Sequence, residues 1–285
     1  MRITVLGKSP AWQDAGGTCS GYLVEHDGFV LLLDCGNGVF ARLREHREYV
    51  DVDAVLITHL HGDHFFDLVP YSYALRYAPR QQPEPEAGWP GTSRPARPAL
   101  HVPPGARAVL RRLLVTFASE DLIESAFALE EYDGVSELTL GPLTVRFQEV
   151  PHYTRTFAVD ITAADGSRFT FGADCAPNDK LVTLARDTEL LLLEATLSAP
   201  DRDGVRGHLT AREAGDHARR ARARRCVLTH FSDELDEAKV ISEGVAGFGA
   251  AVELASEGAV YELSAVLPPE RTRAAAPAAA EGHGP

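Results

Sequence analysis

The chain has 285 residues and a formal net charge of −13, from 28 Lys and Arg against 41 Asp and Glu. That sign disfavours a protein relying on phosphate contacts along a nucleic acid, and the length can bury a full core in one large domain or two. Runs such as Phe29 to Leu33 and Leu190 to Leu193 are too short to cross a bilayer, and Cys19, Cys35, Cys175 and Cys226 lack Cys-x-x-Cys spacing, as expected of reduced thiols in a cytoplasmic protein.

Taken in chain order, short β-type runs alternate with helical ones. Strands are expected at Arg2–Leu6, Gly21–Glu25, Phe29–Asp34, Ala54–Thr58, Ala99–Val102 and Phe127–Tyr132. Further strands are expected at Leu138–Leu140, Leu143–Val150, Phe157–Thr162, Arg168–Gly172, Leu190–Glu194, Cys226–Thr229 and Val260–Leu263. Helices are expected at Gly38–Glu45, Phe65–Tyr77, Ala106–Phe117, Asn178–Ala185, Ala211–Arg222 and Leu235–Phe248, with Thr210-Ala-Arg-Glu reading as a capping box. The first run begins at Arg2, without an apolar leader before it. No internal repeat is visible. Two stretches break the alternation. Residues 79–98, rich in Pro, Gly, Arg and Gln, read as an exposed loop that could border a site. The Ala- and Pro-rich residues 267–285 read as a disordered tail, leaving 1–266 as the folded domain.

The chemistry is concentrated at His59, His61, Asp63 and His64, in the stretch Leu-Ile-Thr-His-Leu-His-Gly-Asp-His. Three imidazoles and a carboxylate so close together are costly to bury and seldom needed for folding. The Ile-Thr alternation marks a strand, and the turn at Gly62 lets the side chains converge. Neutral imidazole and carboxylate suit zinc, manganese or iron. One such cluster could hold one metal; a second needs ligands from elsewhere.

Candidates for those ligands each end a strand-like run. His152 closes Leu-Thr-Val-Arg-Phe-Gln-Glu-Val-Pro-His, Asp174 follows Arg-Phe-Thr-Phe-Gly-Ala, and His230 follows Cys-Val-Leu-Thr. Polar residues delivered at the carboxyl ends of strands are how sheet-based sites are built. Read singly, His152 could cap a turn, Asp174 could be a turn residue and His230 a core histidine; their common placement argues for a shared role. His26, His46, His101, His217 and His283 fall in surface-like or helical contexts and receive no role.

At this point the chain resembles the metallo-β-lactamase-fold hydrolases over about residues 1 to 265. The resemblance implies an α/β fold built as a four-layer αββα sandwich, and two divalent metal ions, Zn2+ foremost with Mn2+ or Fe2+ as alternatives. Carried over by position, one ion takes His59, His61 and His152, the other Asp63, His64 and His230, and Asp174 bridges them. Cys175, where the family more often has Thr, is read as packing. His61 stands where the di-iron, oxygen- or NO-reducing branch has Glu, which argues against that branch.

Within the superfamily, Glu194-Ala-Thr and Gly207-His208-Leu-Thr-Ala-Arg-Glu-Ala look like the phosphodiesterase branch that includes ribonuclease Z. His208 before a helix could protonate a leaving alkoxide or bind a phosphate oxygen, with Glu194 orienting it or a metal ligand. Asp63 could orient the attacking hydroxide as well as bind metal. The departures from ribonuclease Z matter. The segment from His152 to Asp174 holds two strands and the Asp165-Gly166 turn, with no room for a tRNA-clamping arm, and Pro10-Ala-Trp-Gln-Asp-Ala-Gly-Gly lacks a basic segment. Arg219, Arg220, Arg222, Arg224 and Arg225 read as a solvated face. The early Gly-x-Ser, Ser20 to Leu23 and Asp34-Cys-Gly-Asn-Gly are similar to bacterial ribonuclease-Z-like phosphodiesterases that cleave cyclic nucleotides.

The expected function is hydrolysis of small phosphodiesters such as 3′,5′-cyclic nucleotides by Asp63, His208 and Glu194 around the metal pair. The alternatives are a ribonuclease Z-like tRNA 3′-end endonuclease, a hydrolase of another ester, lactone or thioester, and a non-catalytic metal-binding accessory protein. A homodimer is expected from the resemblance alone, with no membrane partner.

Overall fold

The computed structural model describes residues 1–83, 91–200 and 204–264. In chain order the first half runs β1 (Arg2–Gly7), β2 (Gly21–His26), β3 (Phe29–Leu33), α1 (Val39–His46), β4 (Ala54–Leu56), α2 (Gly62–Phe65), α3 (Leu68–Tyr77), β5 (Ala99–Val102), α4 (Ala106–Val115), α5 (Leu122–Ala126) and β6 (Ala128–Glu131). The second half runs β7 (Leu138–Leu140), β8 (Leu143–Val150), β9 (Thr156–Ala163), β10 (Arg168–Phe171), α6 (Asp179–Leu184), β11 (Leu190–Glu194), α7 (Ala211–Ala221), β12 (Arg225–Thr229), α8 (Glu237–Phe248), β13 (Glu253–Leu254) and β14 (Val260–Glu262).

These strands form two seven-stranded mixed sheets, ordered β14-β1-β2-β3-β4-β5-β6 and β13-β12-β11-β10-β9-β8-β7. The near-continuous apolar runs of the inner strands explain the layering, because such strands bury both faces. In β3, Leu31 and Leu33 face a core shared with Val145, Val159, Phe169, Leu190 and Leu192 of the other sheet. Leu32 points the opposite way, to Leu43, Tyr71 and Leu110 of α1, α3 and α4. In β11 the same alternation sends Leu191 and Leu193 outward to Leu181, Ala214, Ala218 and Val240 of α6, α7 and α8. The product is the expected αββα sandwich.

Pairings are parallel from β3 through β6 and from β10 through β13, and antiparallel elsewhere. The carboxyl ends of β4, β10, β11 and β12 therefore deliver their following residues to one end of the sandwich.

Several boundaries depart from the sequence reading. The helix expected over Phe65–Tyr77 is two helices, α2 and α3. Asp67 interrupts them: its N–H donates to the Cys35 carbonyl at 3.0 Å and its carboxylate accepts from the Phe40 N–H at 2.9 Å. Pro70 then lies in the first turn of α3, where its missing N–H has no intrahelical partner to lose. The five-residue α5 and two-residue β13 lack periodicity of their own. In the 79–98 loop, Gln81 is buried rather than exposed, and its amide bonds both the N–H and the carbonyl of Ala96. Residues 84–90 of that loop, and the expected tail 267–285, lie outside the described residues. His101 is buried in β5 rather than surface-like, and His217, in a helix as expected, is buried too. His217 donates from Nδ1 to the Glu213 carbonyl and accepts the Asn178 N–H at Nε2, a wholly structural use of the ring.

Candidate dinuclear metal centre

All nine residues singled out from the sequence meet at the carboxyl end of the sandwich. His59, His61, His152 and Asp174 form one set of ligand-type atoms lying within 4.8 Å of one another; Asp63, His64, Asp174 and His230 form a second. Asp174 belongs to both. Glu194, His208 and His230 form a third group beside them.

Four of the histidines are oriented by the nitrogen that faces away from the centre. His59 Nδ1 lies 3.1 Å from the Thr58 hydroxyl, and His152 Nδ1–H donates to the Gly207 carbonyl at 2.7 Å. His64 Nδ1–H donates to Asp34 at 2.7 Å. His230 Nδ1 lies 2.9 Å from the Thr196 hydroxyl, which itself donates to Glu194 at 2.6 Å. These bonds turn the other ring nitrogens inward, where, once free of protons, they would offer lone pairs to an ion. His152 Nε2 faces His61 Nδ1 at 2.9 Å, while His230 Nε2 lies 3.0 Å and His64 Nε2 3.4 Å from Asp63 Oδ2.

The donor set fits a pair of divalent ions. His59 Nε2, His64 Nε2 and Asp174 Oδ1 are fully buried yet have no hydrogen-bond partner. Buried polar atoms are almost always satisfied, so three orphans among the residues of the two sets call for an occupant. Four donors about 2.0–2.1 Å from one tetrahedral ion stand about 3.3 Å apart. His64 Nε2 and His230 Nε2 lie 3.3 and 3.4 Å from Asp174 Oδ2, and His59 Nε2 and His152 Nε2 lie 3.9 Å from it.

The electrostatics divide the two sets. Burial pushes His59 well below the ordinary imidazole range, lowers His61, and brings His152 down to about 4. His64 goes the other way. Burial opposes its charge, but the Asp174 and Asp34 carboxylates hold it well above the ordinary range. Burial also opposes the charge of Asp63, yet His230 and His64 keep its carboxyl far below the usual range, and Asp174 is lowered by the same histidines.

Glu194, the last residue of β11, is wholly buried. Its carboxylate accepts from the Cys175 N–H at 2.8 Å, from the Thr196 hydroxyl, and from His208 Nδ1–H at 3.0 Å. It thus orients both His208 and, through Thr196, His230. Burial would lower the His208 pKa, but the Glu194 hydrogen bond and charge push it up to about 8. Cys175 packs in the outer core of the second sheet and joins none of the three groups. Its thiol is raised by burial, as expected of a packing residue.

Several contributors escaped the sequence reading. Asp34 carried a signal, an acidic residue ending an apolar strand beside the one that delivers His59, but nothing local to it indicates a histidine thirty residues on. Thr58, Thr196 and the Gly207 carbonyl carry no such signal. Neither does Lys8, whose buried ammonium pairs with Asp14, donates to the Phe231 carbonyl at 3.1 Å and lies 4.1 Å from the Phe231 ring centroid. That contact fastens the first loop to the turn carrying His230, which has a left-handed backbone with φ 54°.

Comparison with known proteins agrees with this geometry. Residues 30–231 match the family described as Beta-lactamase superfamily domain. An uncharacterized protein of Mycobacterium tuberculosis (strain ATCC 25618 / H37Rv) is 32% identical over 251 residues, covering 87% of either chain. The probable metallo-hydrolase YhfI of Bacillus subtilis is 28% identical over 264 residues, covering 92% of this chain and 100% of that one. The crystal structure of YhfI superimposes with a TM-score of 0.78 at 24% identity, covering 92% and 99% of the chains. Ribonuclease Z of Myxococcus xanthus is 28% identical over 300 residues, covering 92% and 98%.

Proposed function

The chain belongs to the β-lactamase superfamily of metal-dependent hydrolases, and from that premise we propose that it is a phosphodiesterase acting on small phosphodiesters such as 3′,5′-cyclic nucleotides. The observation that carries this reading is the Glu194–His208 pair, 3.0 Å apart, beside the two sets of candidate ligands. A thioester expels a thiolate that leaves without such a proton donor, whereas an alkoxide leaving group gains from one.

In this reading His59, His61 and His152 hold one divalent ion, Asp63, His64 and His230 the other, and Asp174 both, Zn2+ being the first choice. The ions supply Lewis acidity toward a phosphoryl oxygen and ease the ionisation of water. Asp63 accepts a hydrogen bond from the attacking water and sets its line of approach. His208, with Nδ1–H committed to Glu194, offers Nε2–H to the oxygen that leaves as the P–O bond breaks. General acid help of this kind contributes roughly 10²–10⁴ in rate.

Cleavage at the 3′ end of tRNA is the second reading, supported by the relative named ribonuclease Z. Two features favour the small diester. Between His152 and Asp174 the chain makes only β9, the Asp165-Gly166 turn and β10. Of the five arginines read as a solvated face, four are tied to acids: Arg219 to Asp216, Arg220 to Asp179, Arg222 to Asp187 and Arg225 to Glu253. No helix among the described residues is long and apolar enough to cross a membrane. A cytoplasmic homodimer completes the proposal. The exposed Tyr73 and Tyr77 on α3, with rings 6.0 Å apart, support an association face, and light scattering would test it.

The test is a metal-reconstituted assay on bis-p-nitrophenyl phosphate, 3′,5′-cyclic AMP and a tRNA precursor, with wild type against Asp174→Ala and His208→Ala. Turnover of the small diesters, lost in both variants, is the expected result. No diester turnover from protein shown to hold two metals would overturn the reading.

A further inference from the structure

Tyr153 directly follows His152 and is 53% exposed, although a large ring ordinarily gains by burial. Its ring centroid lies 5.0 Å from that of His152, tilted to it, and 5.7 Å from that of His208, which it meets edge-on. The ring also rests on Gly207, where an added Cβ would come within 2.4 Å of Tyr153 Cε2. Any side chain there would displace it. Tyr153 belongs to none of the three apolar cores. A broad ring is thus held against the histidine proposed as proton donor, with much of its surface left to solvent.

We infer that Tyr153 is a platform for a flat ring of the substrate, so that the diesters this centre takes carry a nucleobase or comparable aromatic group on the side of the leaving oxygen. The inference rests on the phosphodiesterase reading and deepens it by naming the organic half of the substrate. The side follows from the contact with His208, since whatever accepts its proton lies beside the tyrosine. In a 3′,5′-cyclic nucleotide the base and the leaving oxygen belong to one nucleoside, so base stacking and proton transfer occur together. Every base has a face that stacks, so the platform selects for a ring without choosing among bases.

The experiment compares wild type, Tyr153→Ala and Tyr153→Phe, all metal-reconstituted, on 3′,5′-cyclic AMP and on the base-free 1-deoxyribose 3,5-cyclic phosphate. Calorimetric titrations with 5′-AMP and with ribose 5-phosphate run alongside. Tyr153→Ala is expected to raise KM for cyclic AMP, and to weaken 5′-AMP, on the order of ten- to a hundredfold. kcat and both base-free ligands should be unchanged, and Tyr153→Phe should behave as wild type. Equal losses with base-bearing and base-free ligands would mean that the ring only steadies His152 and His208, and would overturn the inference, as would no loss with either. If neither cyclic diester is turned over but 5′-AMP still outbinds ribose 5-phosphate through Tyr153, the phosphodiesterase reading falls and the platform stands.

Discussion

Asp34 and His64 are thirty residues apart in the chain and 2.7 Å apart in the fold, with the imidazole Nδ1–H donating to a carboxylate that is itself fully buried. The same carboxylate accepts the Thr58 N–H at 2.8 Å and faces the Thr58 hydroxyl at 3.0 Å. One side chain therefore fixes a proposed ligand and the end of the strand that delivers the others.

Replacing Asp34 is expected to weaken metal binding by about 10- to 100-fold, the usual cost of losing a ligand's outer partner. Asp34→Asn should be milder than Asp34→Ala, because Asn tolerates the positive φ of 57° at this position. Competition with a chromogenic chelator measures the affinity. Unchanged affinity in Asp34→Ala would remove Asp34 from the site.

The Glu194 carboxylate raises His208 against the effect of burial, to about 8. A proton donor with that value works below pH 8 and fails as pH rises through it. In Glu194→Gln the largest of the effects that oppose burial is lost, leaving only the more distant Asp174 and Asp63 charges, so the alkaline limb of kcat should move to lower pH. Activity at pH 8 should fall on the order of a hundredfold, with partial recovery on acidification. A pH–rate profile decides it; an equal loss at every pH would count against the donor role.

Metal-free protein should load its two sets unequally. At neutral pH the rings of His59, His61 and His152 are kept uncharged by burial, so an ion entering there displaces little proton. His64 retains a proton between Asp174 and Asp34, which an ion at the second set must expel. Calorimetric titration in buffers of different ionisation enthalpy should show about one proton released at the second step and almost none at the first. The sign for stability follows from the same shifts. His59 and His152, depressed in the folded state, make the metal-free protein lose stability as pH falls from about 6.5 towards the folded value of about 4 for His152.

Lys8→Met should cost about 1–3 kcal/mol, since Asp14 would lose its charged partner and the Phe231 carbonyl its donor. Urea unfolding of the metal-free variant measures the loss. The looser turn at His230 should also weaken the second metal more than the first. Equal weakening of both would assign Lys8 to general stability alone.

Much of this was legible in the sequence because the informative residues are polar where strands end. His59, His61, Asp63 and His64 lie within one turn, and His152, Asp174 and His230 each close an apolar run, so pattern alone reached all seven. Glu194 and His208 were reached through the resemblance. Glu194 was expected to orient His208 or a metal ligand; that it serves His208 directly and His230 as well was not legible, because the second link depends on Thr196 turning its hydroxyl inward. Asp34, Lys8 and Tyr153 were missed as site residues for a related reason. Their partners are distant in sequence or sit on the bare backbone of Gly207, and neither relation leaves a periodicity. The split between α2 and α3 likewise depends on Asp67 reaching Cys35 and Phe40, contacts outside its own helix.

Gly207 offers its carbonyl to His152 and its bare Cα to the ring of Tyr153. The inorganic and organic halves of the site thus lean on a single residue with nothing to substitute. A side chain at position 207 would meet the Tyr153 ring and crowd the loop that orients His152, so one change there would disturb both at once.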